Sequence, residues 1–472
     1  MTTMKMMKRL LYILIAVTAI SACGPLDQNP STSVTTETAI TSVTDLSNAV
    51  NGAYYIATYG DMLTVASELS IYADLIGPDA YQPSSNGQNA SKMGAFSLTP
   101  ADTYGAYYYL YCALASVNNA IEKGSKLEDK EGAAPYIAEL YAMRGLFHFH
   151  LATYFAPIPT SGNSFKLGIV LSDKVFPIDY IGERASLDDT YQQIVDDFTA
   201  AIESGLNKDK KAGHLNYWAA LGLRARAYLY WGKYAEALKD CKEIIKDSPY
   251  TLYTLSNYTS VWSQEGSDEM LMEYIQTDTY NAQRYAPGYY TSPEGYSEYG
   301  VKKSFYDWLT SDANDVRAQM VADCSTAPEG AGSDYHTGYY PLKYPGKAGA
   351  STPTYTNNIK VMRLSEVYLI AAEAALKTAP STAAGYMNDL RKNRIEGYSD
   401  VASVTIDDIL DERRKELFAE GQIAFDFWRN GKNVENDFGT ITPTDTKTIL
   451  PLPKEEIDVA KGKLQQNPGY GN

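Results

Sequence analysis

Apolar residues recur every three or four positions through most of the first half of the chain, a pattern typical of amphipathic helices. Leu140, Met143, Phe147 and Leu151 follow this spacing, and prolines come directly after their segment. The same pattern predicts helices over residues 45–58, 104–122, 135–155, 186–205 and 214–247. Ser186 is a candidate N-cap of the fourth of these segments. The first half is therefore expected to be almost wholly helical.

Residues 214–250 resemble a tetratricopeptide unit, two antiparallel helices joined by a tight turn. The turn lies at Trp231-Gly232, the small Ala237 permits a close approach of the helices, and Pro249 ends the second one. Cys241 stands where the repeat usually has an aromatic residue, so the match is partial. Because such a unit cannot bury its apolar face alone, neighbouring helices are expected to stack on it as degenerate repeats.

The helical periodicity fails between residues 251 and 358. The tyrosine-rich stretches 285–300 and 335–344 are interrupted by glycine and proline, which predicts irregular, loop-rich structure. Helices are expected to return at residues 359–377, 382–394 and 405–420, before an extended, proline-rich tail. The chain is thus expected to be mostly α, with one irregular region inserted between helical segments.

The N-terminus has the anatomy of an export signal. Lys5, Lys8 and Arg9 precede an apolar run that is too short to cross a bilayer. The run ends in Ser-Ala before Cys23, an arrangement that resembles the bacterial lipobox, in which the cysteine is acylated and becomes the mature N-terminus. Residues 1–22 are therefore predicted to be a lipoprotein signal peptide. The alternative is an ordinary secreted protein with an incidental cysteine.

Charge and cysteine content narrow the classes of partner. The chain has 472 residues, with 41 basic and 57 acidic side chains. Removal of the signal leaves 38 basic residues and a net charge of −19, which argues against binding to nucleic acid or to anionic membrane surfaces. Only Cys112, Cys241 and Cys324 then remain, too few for a disulfide scaffold.

Several segments together resemble the SusD/RagB family of lipid-anchored outer-membrane nutrient-binding proteins of Bacteroidetes. The segments lie in family order from residue 23 to residue 470. They are Cys23 with LDQNPST, LSNAVNGAYY, YYYLYCALASVNNAIE, AELYAMRGLFHFHLATYFAPIP, MRLSEVYLIAAEAALK, DERRKELFAEGQIAFDFWRNGK and ILPLPKEEIDVAKGKLQQNPGY. Two departures stand out. Tyr107 occupies a place where the family often has Trp, and Gln422-Ile423-Ala424 stands where an Arg and an aromatic residue are usual.

The resemblance implies a SusD-like fold in which tetratricopeptide-like helix pairs form a scaffold for an irregular ligand-binding subdomain. Residues 23–250 would form the N-terminal helical region and residues 251–472 the C-terminal region, packed as one globule. The resemblance also implies an outer-membrane location facing the cell exterior, an oligosaccharide ligand and a SusC-like TonB-dependent transporter as partner. It implies neither enzymatic activity nor a cofactor.

The candidate ligand site is predicted mainly from the tyrosine content of the chain. The chain has 40 tyrosines against 12 phenylalanines, which suggests many half-buried or surface-lining aromatic rings. A pyranose has a flat C–H face and a rim of hydroxyls, so its recognition needs an aromatic platform and short polar side chains. Family members place ligand contacts broadly in two regions of the chain. The residues expected there are Asp74, Tyr81, Asn86, Tyr289, Tyr290, Tyr296 and Trp308. Any one of these tyrosines could instead simply pack its loop.

Other clusters are interpreted as structural. Glu412, Glu416 and Glu420 share one helix face and are expected to form ion pairs rather than a catalytic acid cluster. His148 and His150, two positions apart on a helix, point to different faces and cannot share a metal. The sequence contains no HExxH, CxxC, GxSxG or GxxxxGK motif.

Three functional hypotheses remain open from the sequence. The leading one is a surface lipoprotein that binds glycan and delivers it to the transporter. A second is a helical-repeat scaffold that binds a protein partner without a glycan. A third is a lipid-anchored glycan hydrolase, because two catalytic carboxylates among 57 acids can be neither shown nor excluded by sequence.

Overall fold

The computed structural model describes residues 39–82, 89–102 and 104–471. Helix makes up about 48% of the chain and strands are few and short, so the predicted mostly-α class is confirmed. The helices of the described residues are α1 Val43–Ala57, α2 Tyr72–Leu75, α3 Asn89–Gly94, α4 Gly105–Gly124, α5 Lys130–Phe155, α6 Leu187–Glu203, α7 Tyr217–Trp231, α8 Tyr234–Asp247, α9 Pro287–Tyr290, α10 Lys303–Leu309, α11 Leu364–Thr378, α12 Ala383–Lys392, α13 Ile406–Leu417, α14 Ile423–Arg429 and α15 Lys454–Val459.

The strands form five antiparallel two-stranded ribbons within the same residues. They are β1 Ala80–Tyr81 with β5 Gly300–Val301, β2 Leu167–Val170 with β3 Arg184–Ser186, β4 Met270–Tyr274 with β8 Ile359–Arg363, β6 Val321–Cys324 with β7 Gly338–Pro341, and β9 Val434–Asn436 with β10 Gly439–Ile441. None of them is wide enough to form a layer, so helix packing dominates the architecture.

Local signals set the boundaries of the long helices. The Ser186 hydroxyl accepts the N–H of Asp189 at 3.0 Å, which caps α6 as predicted. Gly232 ends α7 in the left-handed region, at a φ of 81° that favours glycine. The chain then turns directly into α8, so the expected helix pair over residues 214–247 is present.

The long helices pack in succession, α1 on α4, α4 on α5, α5 on α6, α6 on α7 and α7 on α8. The helix α11, which lies beyond residue 250, continues the series by packing on α8. The buried apolar cluster accordingly runs from Ile40 to Leu464, so both predicted regions contribute to one core. The boundary at residue 250 remains a prediction.

Two elements of the C-terminal region differ from expectation. Residues Ile359–Arg363, expected to begin a helix, form β8, which is buried along its whole length and pairs with β4. The β-branched Ile359 and Val361 favour this extended pairing over helix. The tail, expected to be extended, contains α15, which begins directly after Pro453.

The irregular region is fixed to the loop that follows α2. β1 pairs with β5, and the N–H of Lys302 donates to the carbonyl oxygen of Asp79 at 2.7 Å. The segment around Tyr81 therefore lies beside the segment around residue 300, although the two are more than two hundred positions apart in the chain.

Candidate functional site

The loop of residues 286–299 folds back on a single turn of helix. Tyr289 and Tyr290 end α9, which begins at Pro287. The N–H of Tyr296 donates to the Tyr289 carbonyl oxygen at 3.0 Å, and the N–H of Tyr299 donates to that of Tyr290 at 3.1 Å. A Cβ atom at Gly295 would lie 2.2 Å from the Tyr289 oxygen, so this close return requires glycine.

The returning loop brings three tyrosine rings together. The ring centres of Tyr289 and Tyr296 are 5.0 Å apart and those of Tyr289 and Tyr355 are 5.4 Å apart, both in edge-to-face geometry. All three rings are half-buried, so part of each remains open to solvent. Tyr289 and Tyr296, both expected at the ligand, therefore lie together, and their contact with a ligand remains a prediction.

An exposed arginine completes this cluster. Hydrogen bonds from Arg284 to the hydroxyl groups of Tyr355 and Tyr296 raise the pKa of its guanidinium. The four side chains of Arg284, Tyr289, Tyr296 and Tyr355 are called the tyrosine platform below. It combines flat apolar ring faces with a cationic hydrogen-bond donor at the surface.

Tyr290 does not share this exposure. Its ring is completely buried and packs edge-to-face on Tyr296 at 5.8 Å. The expectation that Tyr290 contacts a ligand is therefore contradicted, because the side chain supports the platform from within. The alternation arises because adjacent residues of a helical turn point in different directions.

Asp74 is also buried, at 4% exposure, and binds backbone instead of facing a ligand. Its carboxylate accepts the N–H groups of Ala419 at 3.0 Å, Gln422 at 3.2 Å and Gly421. Burial raises the pKa of Asp74 to about 8. The residue ties α2 to the turn after α13, which corrects its predicted role as a ligand contact.

Tyr81 and Trp308 contact residues outside the tyrosine platform. The half-buried Tyr81 accepts the N–H of Tyr339 on its hydroxyl at 3.2 Å. Trp308 is half-buried, with the guanidinium of Arg414 4.6 Å and the ammonium of Lys415 4.7 Å from its ring centre. These cations occupy ring surface that a sugar would otherwise need.

Two predicted positions lie outside the described residues, Asn86 and the lipidation candidate Cys23. Sequence reasoning missed two members of the platform, Arg284 and Tyr355. Arg284 directly precedes the tyrosine-rich stretch 285–300, and this proximity was a usable signal. Tyr355 lies about seventy residues beyond Arg284, and no local spacing connects it to Tyr289.

The three glutamates of residues 412–420 are buried in an ion network, as predicted. Glu416 pairs with Arg394 at 2.9 Å, Arg363 at 3.2 Å and Arg317 at 3.4 Å. These arginines hold the pKa of Glu416 well below its usual range against the opposing effect of burial. The partners come from distant segments and not from the neighbouring Arg413 and Arg414. The network carries no exposed carboxylate and serves to fix the irregular region.

Gln422, one of the departures from the family pattern, has a buried side chain that lies between Arg413 and Glu366. It accepts from Arg413 and donates to Glu366, both at 3.1 Å. The other departure, Tyr107, is buried edge-to-face on Phe155 at 5.1 Å, so it acts in packing.

Within the described residues 39–82, 89–102 and 104–471, no group of three or more His, Cys, Asp or Glu side chains could hold a metal ion. Within the same ranges, no helix combines the length and apolar character needed to cross a bilayer.

Comparison with known proteins decides the family. The sequence profile of the SusD family matches residues 190–470, more than half of the chain. The chain belongs to the SusD family. A second profile, described as starch-binding and associating with outer membrane, matches residues 26–229 and supports an association with the outer membrane.

Three relatives illustrate the SusD-family likeness. SusD-like protein P2 of Formosa agariphila is 24% identical, over 98% of this chain and 99% of its own. A SusD superfamily protein of Bacteroides thetaiotaomicron is 29% identical, with a TM-score of 0.84 over 91% of this chain and 100% of its own. Surface glycan-binding protein A of the same species, solved with laminarihexaose, is 23% identical, with a TM-score of 0.74 over 89% and 98%. These likenesses confirm the predicted SusD-like fold.

Proposed function

We propose that this SusD-family protein captures oligosaccharide at the cell surface and delivers it to a SusC-like TonB-dependent transporter. The tyrosine platform is the observation that carries the proposal. Its three tyrosines are half-buried, so they remain partly open to solvent. Membership of the SusD family and the relative solved with laminarihexaose support the same ligand class.

The platform offers two complementary contacts to a sugar. The open parts of Tyr289, Tyr296 and Tyr355 would cover the C–H face of a pyranose, where removal of apolar surface from water is favourable. The exposed Arg284 guanidinium has donors in a planar array and would reach ring hydroxyls at the edge of the sugar. Tyr81 and Asn86 remain proposed ligand contacts, whereas the Trp308 ring is covered by Arg414 and Lys415.

A binding role without catalysis accounts for the distribution of acids better than hydrolysis does. The clustered carboxylates of Glu412, Glu416 and Glu420 are buried and paired with arginine or lysine. No pair of them faces the tyrosine platform within the described residues, whereas glycoside hydrolysis needs two carboxyl groups on opposite sides of the bond.

The first experiment measures glycan binding by the chain from residue 24 onward, which leaves out only the predicted signal and acylated cysteine. A panel of polysaccharides is screened by affinity electrophoresis, and hits are quantified by calorimetry. Tyr289→Ala and Tyr296→Ala are expected to weaken binding about tenfold, which corresponds to about 1.4 kcal/mol. Tyr398→Ala, a half-buried tyrosine on the helical side, is the matched control.

The possible results of this binding experiment distinguish the three functional hypotheses. Saturable binding without release of shorter sugars, weakened only in the platform variants, supports the proposal. Release of shorter sugars would move the assignment to a hydrolase. Absence of binding across the whole panel would favour a scaffold that recognises a protein.

The anchor is tested separately. We propose that Cys23 carries the lipid, so the Cys23→Ala variant of the full chain should lose incorporation of labelled palmitate and leave the membrane fraction. Retention of label in that variant would contradict the assignment. Protease accessibility on intact cells then reports whether the anchored protein faces the exterior.

A further inference from the structure

A second group of tyrosines, separate from the four side chains of the platform, lies where α1 ends and α4 begins. Successive ring centres are 4.4 Å apart from Tyr280 to Tyr55, 6.2 Å from Tyr55 to Tyr59, 4.8 Å from Tyr59 to Tyr109 and 5.1 Å from Tyr109 to Tyr108. We call these five side chains the tyrosine row. It combines residues from three separate parts of the chain into one aromatic surface.

Three rings of the tyrosine row are exposed well beyond what packing requires. Tyr108 is 60% exposed, Tyr55 is 52% exposed and Tyr59 is 40% exposed. The other two rings are held by polar contacts. The Tyr109 hydroxyl donates to Asp61 at 3.2 Å, and the Tyr280 hydroxyl donates to the Tyr55 carbonyl oxygen. The row is thus an ordered surface in which the inner rings position the exposed ones.

The tyrosine row is adjacent to the tyrosine platform along the segment 280–285. Tyr280 belongs to the row, and Arg284, four residues later, belongs to the platform. The segment lies directly against the end of α1, because a Cβ atom at Gly60 would be 2.3 Å from the Asn281 carbonyl oxygen. Tyr285 lies between the two surfaces, where burial raises its pKa and nearby Tyr296 and Asp61 add to the shift.

The far end of the row opens on an acidic cleft of about 400 Å³, lined by Tyr108, Tyr109 and the start of α15. Five carboxyl groups and one lysine contribute to its wall: Asp61, Asp102, Glu455, Glu456, Asp458 and Lys454. That lysine is already paired with Asp458 at 2.8 Å. An anionic polymer would be repelled from this cleft, whereas hydroxyl groups of a neutral sugar could donate to its carboxylates.

We infer that the tyrosine row is a second binding surface for the same ligand, and that it selects long, neutral polysaccharide chains over short or anionic ones. The inference rests on the proposed function, because the platform would hold one part of the chain while the row holds another. Two linked contacts on one polymer strengthen binding through effective concentration, without either contact being strong by itself.

The test compares ligands of different length on row variants of the chain from residue 24 onward. The ligands are the polysaccharide identified in the screen and its own trisaccharide. Tyr55→Ala combined with Tyr59→Ala is expected to weaken binding of the polymer at least tenfold and to leave trisaccharide binding unchanged. Both residues are exposed, so the fold should persist, which thermal unfolding by circular dichroism verifies.

Tyr180→Ala is the matched control, since Tyr180 is a 48% exposed tyrosine whose ring stacks on Phe176 and not on the row. Equal loss in this control, or unchanged polymer binding in the row variant, would overturn the inference while leaving the proposed function intact. If the parent binds no glycan at all, the proposed function fails first. A row variant that binds glycan normally but loses a protein partner would assign the surface to that partner instead.

A separate variant tests whether the acidic cleft excludes anionic chains. Asp61→Asn combined with Glu455→Gln is expected to raise affinity for alginate, an anionic polysaccharide, at least threefold at low salt, with the gain reduced at high salt. Unchanged affinity for alginate at both salt concentrations would contradict a role of the cleft in excluding anionic chains.

Discussion

The helical scaffold and the irregular region of this protein are held together by different interactions. Helices α1 and α4–α8 bury apolar stripes against one another, and Leu110, Leu114 and Val117 are completely buried within one of them. Residues 251–358 also contribute buried side chains to the apolar core, but they are fixed in addition by charges. Glu269, Arg317 and Lys343 of this region pair with residues of later segments, namely Arg363, Arg394, Glu412, Glu416 and Glu420.

The difference follows from where backbone hydrogen bonds can be made. A helix satisfies its own N–H and C=O groups, so its neighbours need only supply apolar surface. Irregular backbone has no such internal partners, and here charged side chains supply them. Arg394 donates to the Tyr253 carbonyl oxygen at 2.6 Å, and the Glu269 carboxylate accepts the N–H of Tyr253 at 2.6 Å. A buried ion network therefore supports the irregular region where regular secondary structure is short.

The largest effect is expected from breaking this network. Arg394→Met removes one arginine partner from each of the buried carboxylates of Glu269 and Glu416, which should lower the free energy of unfolding by about 4 kcal/mol. Urea unfolding of parent and variant measures the loss. Lys303→Met, which breaks a solvent-exposed pair with Asp307, is the control and should show no measurable change. Similar small effects in both variants would mean that the network does not hold the irregular region.

Truncation of a buried apolar side chain tests how much apolar packing stabilises the helical scaffold. Leu114→Ala, in the buried face of α4, is expected to cost about 3 kcal/mol through lost burial and the cavity left behind. The same urea titration measures it, and changes in hydrogen exchange should be greatest in α1, α4 and α5, which pack together. A cost below 1 kcal/mol would indicate that the helices tolerate loose packing and that apolar burial is not their main support.

A buried acid outside the arginine network should make stability depend on pH. Burial, with added repulsion from Glu298, raises the pKa of Glu68 to about 7. Because the folded protein holds the Glu68 proton more tightly than the unfolded chain does, protonation of Glu68 stabilises the fold at low pH. This stabilisation is lost as pH rises through about 7, a change of about 2 kcal/mol between pH 5 and pH 8.

Glu68→Gln should therefore unfold at a higher temperature than the parent at pH 8 and at about the same temperature at pH 5. Differential scanning calorimetry at the two pH values measures the difference. A variant that is equally stabilised at both pH values would show that the titration of Glu68 is not responsible.

The smallest effect is expected from a helix cap in the scaffold. Ser186→Ala removes the hydroxyl that accepts the N–H of Asp189 at the start of α6 and should cost about 1 kcal/mol. Ser186→Asn, which keeps an acceptor, should recover most of that stability in the same urea titration. An equal loss in both variants would point to the β3 segment rather than the cap.

Prediction from sequence succeeded where information is local. Helical spacing and capping residues located α4–α8, and Gly232 marked the turn of one helix pair. Prediction failed where a segment takes its conformation from a distant partner. Residues Ile359–Arg363 became a strand because β4, almost ninety positions earlier, lies beside them.

The candidate site shows the same division at the level of single side chains. Tyr289 and Tyr296 could be identified from a tyrosine-rich loop, but Tyr290 in the same loop is completely buried. Asp74 was expected at the ligand and instead binds three backbone N–H groups. Composition identifies a loop with unusual aromatic content, and it does not reveal which ring faces solvent.

The sequence by itself determined the family, the helical scaffold and the region that carries the tyrosines, because residue spacing and short motifs depend only on neighbours along the chain. Only the tertiary structure decided which tyrosines meet and which stay exposed. The tyrosine platform joins Tyr355 to Tyr289, and the tyrosine row joins Tyr280 to Tyr55 and Tyr109. Such groupings arise when segments that are distant in the chain pack together. This packing depends on the shapes of the buried surfaces, and it produces no periodic pattern in the sequence.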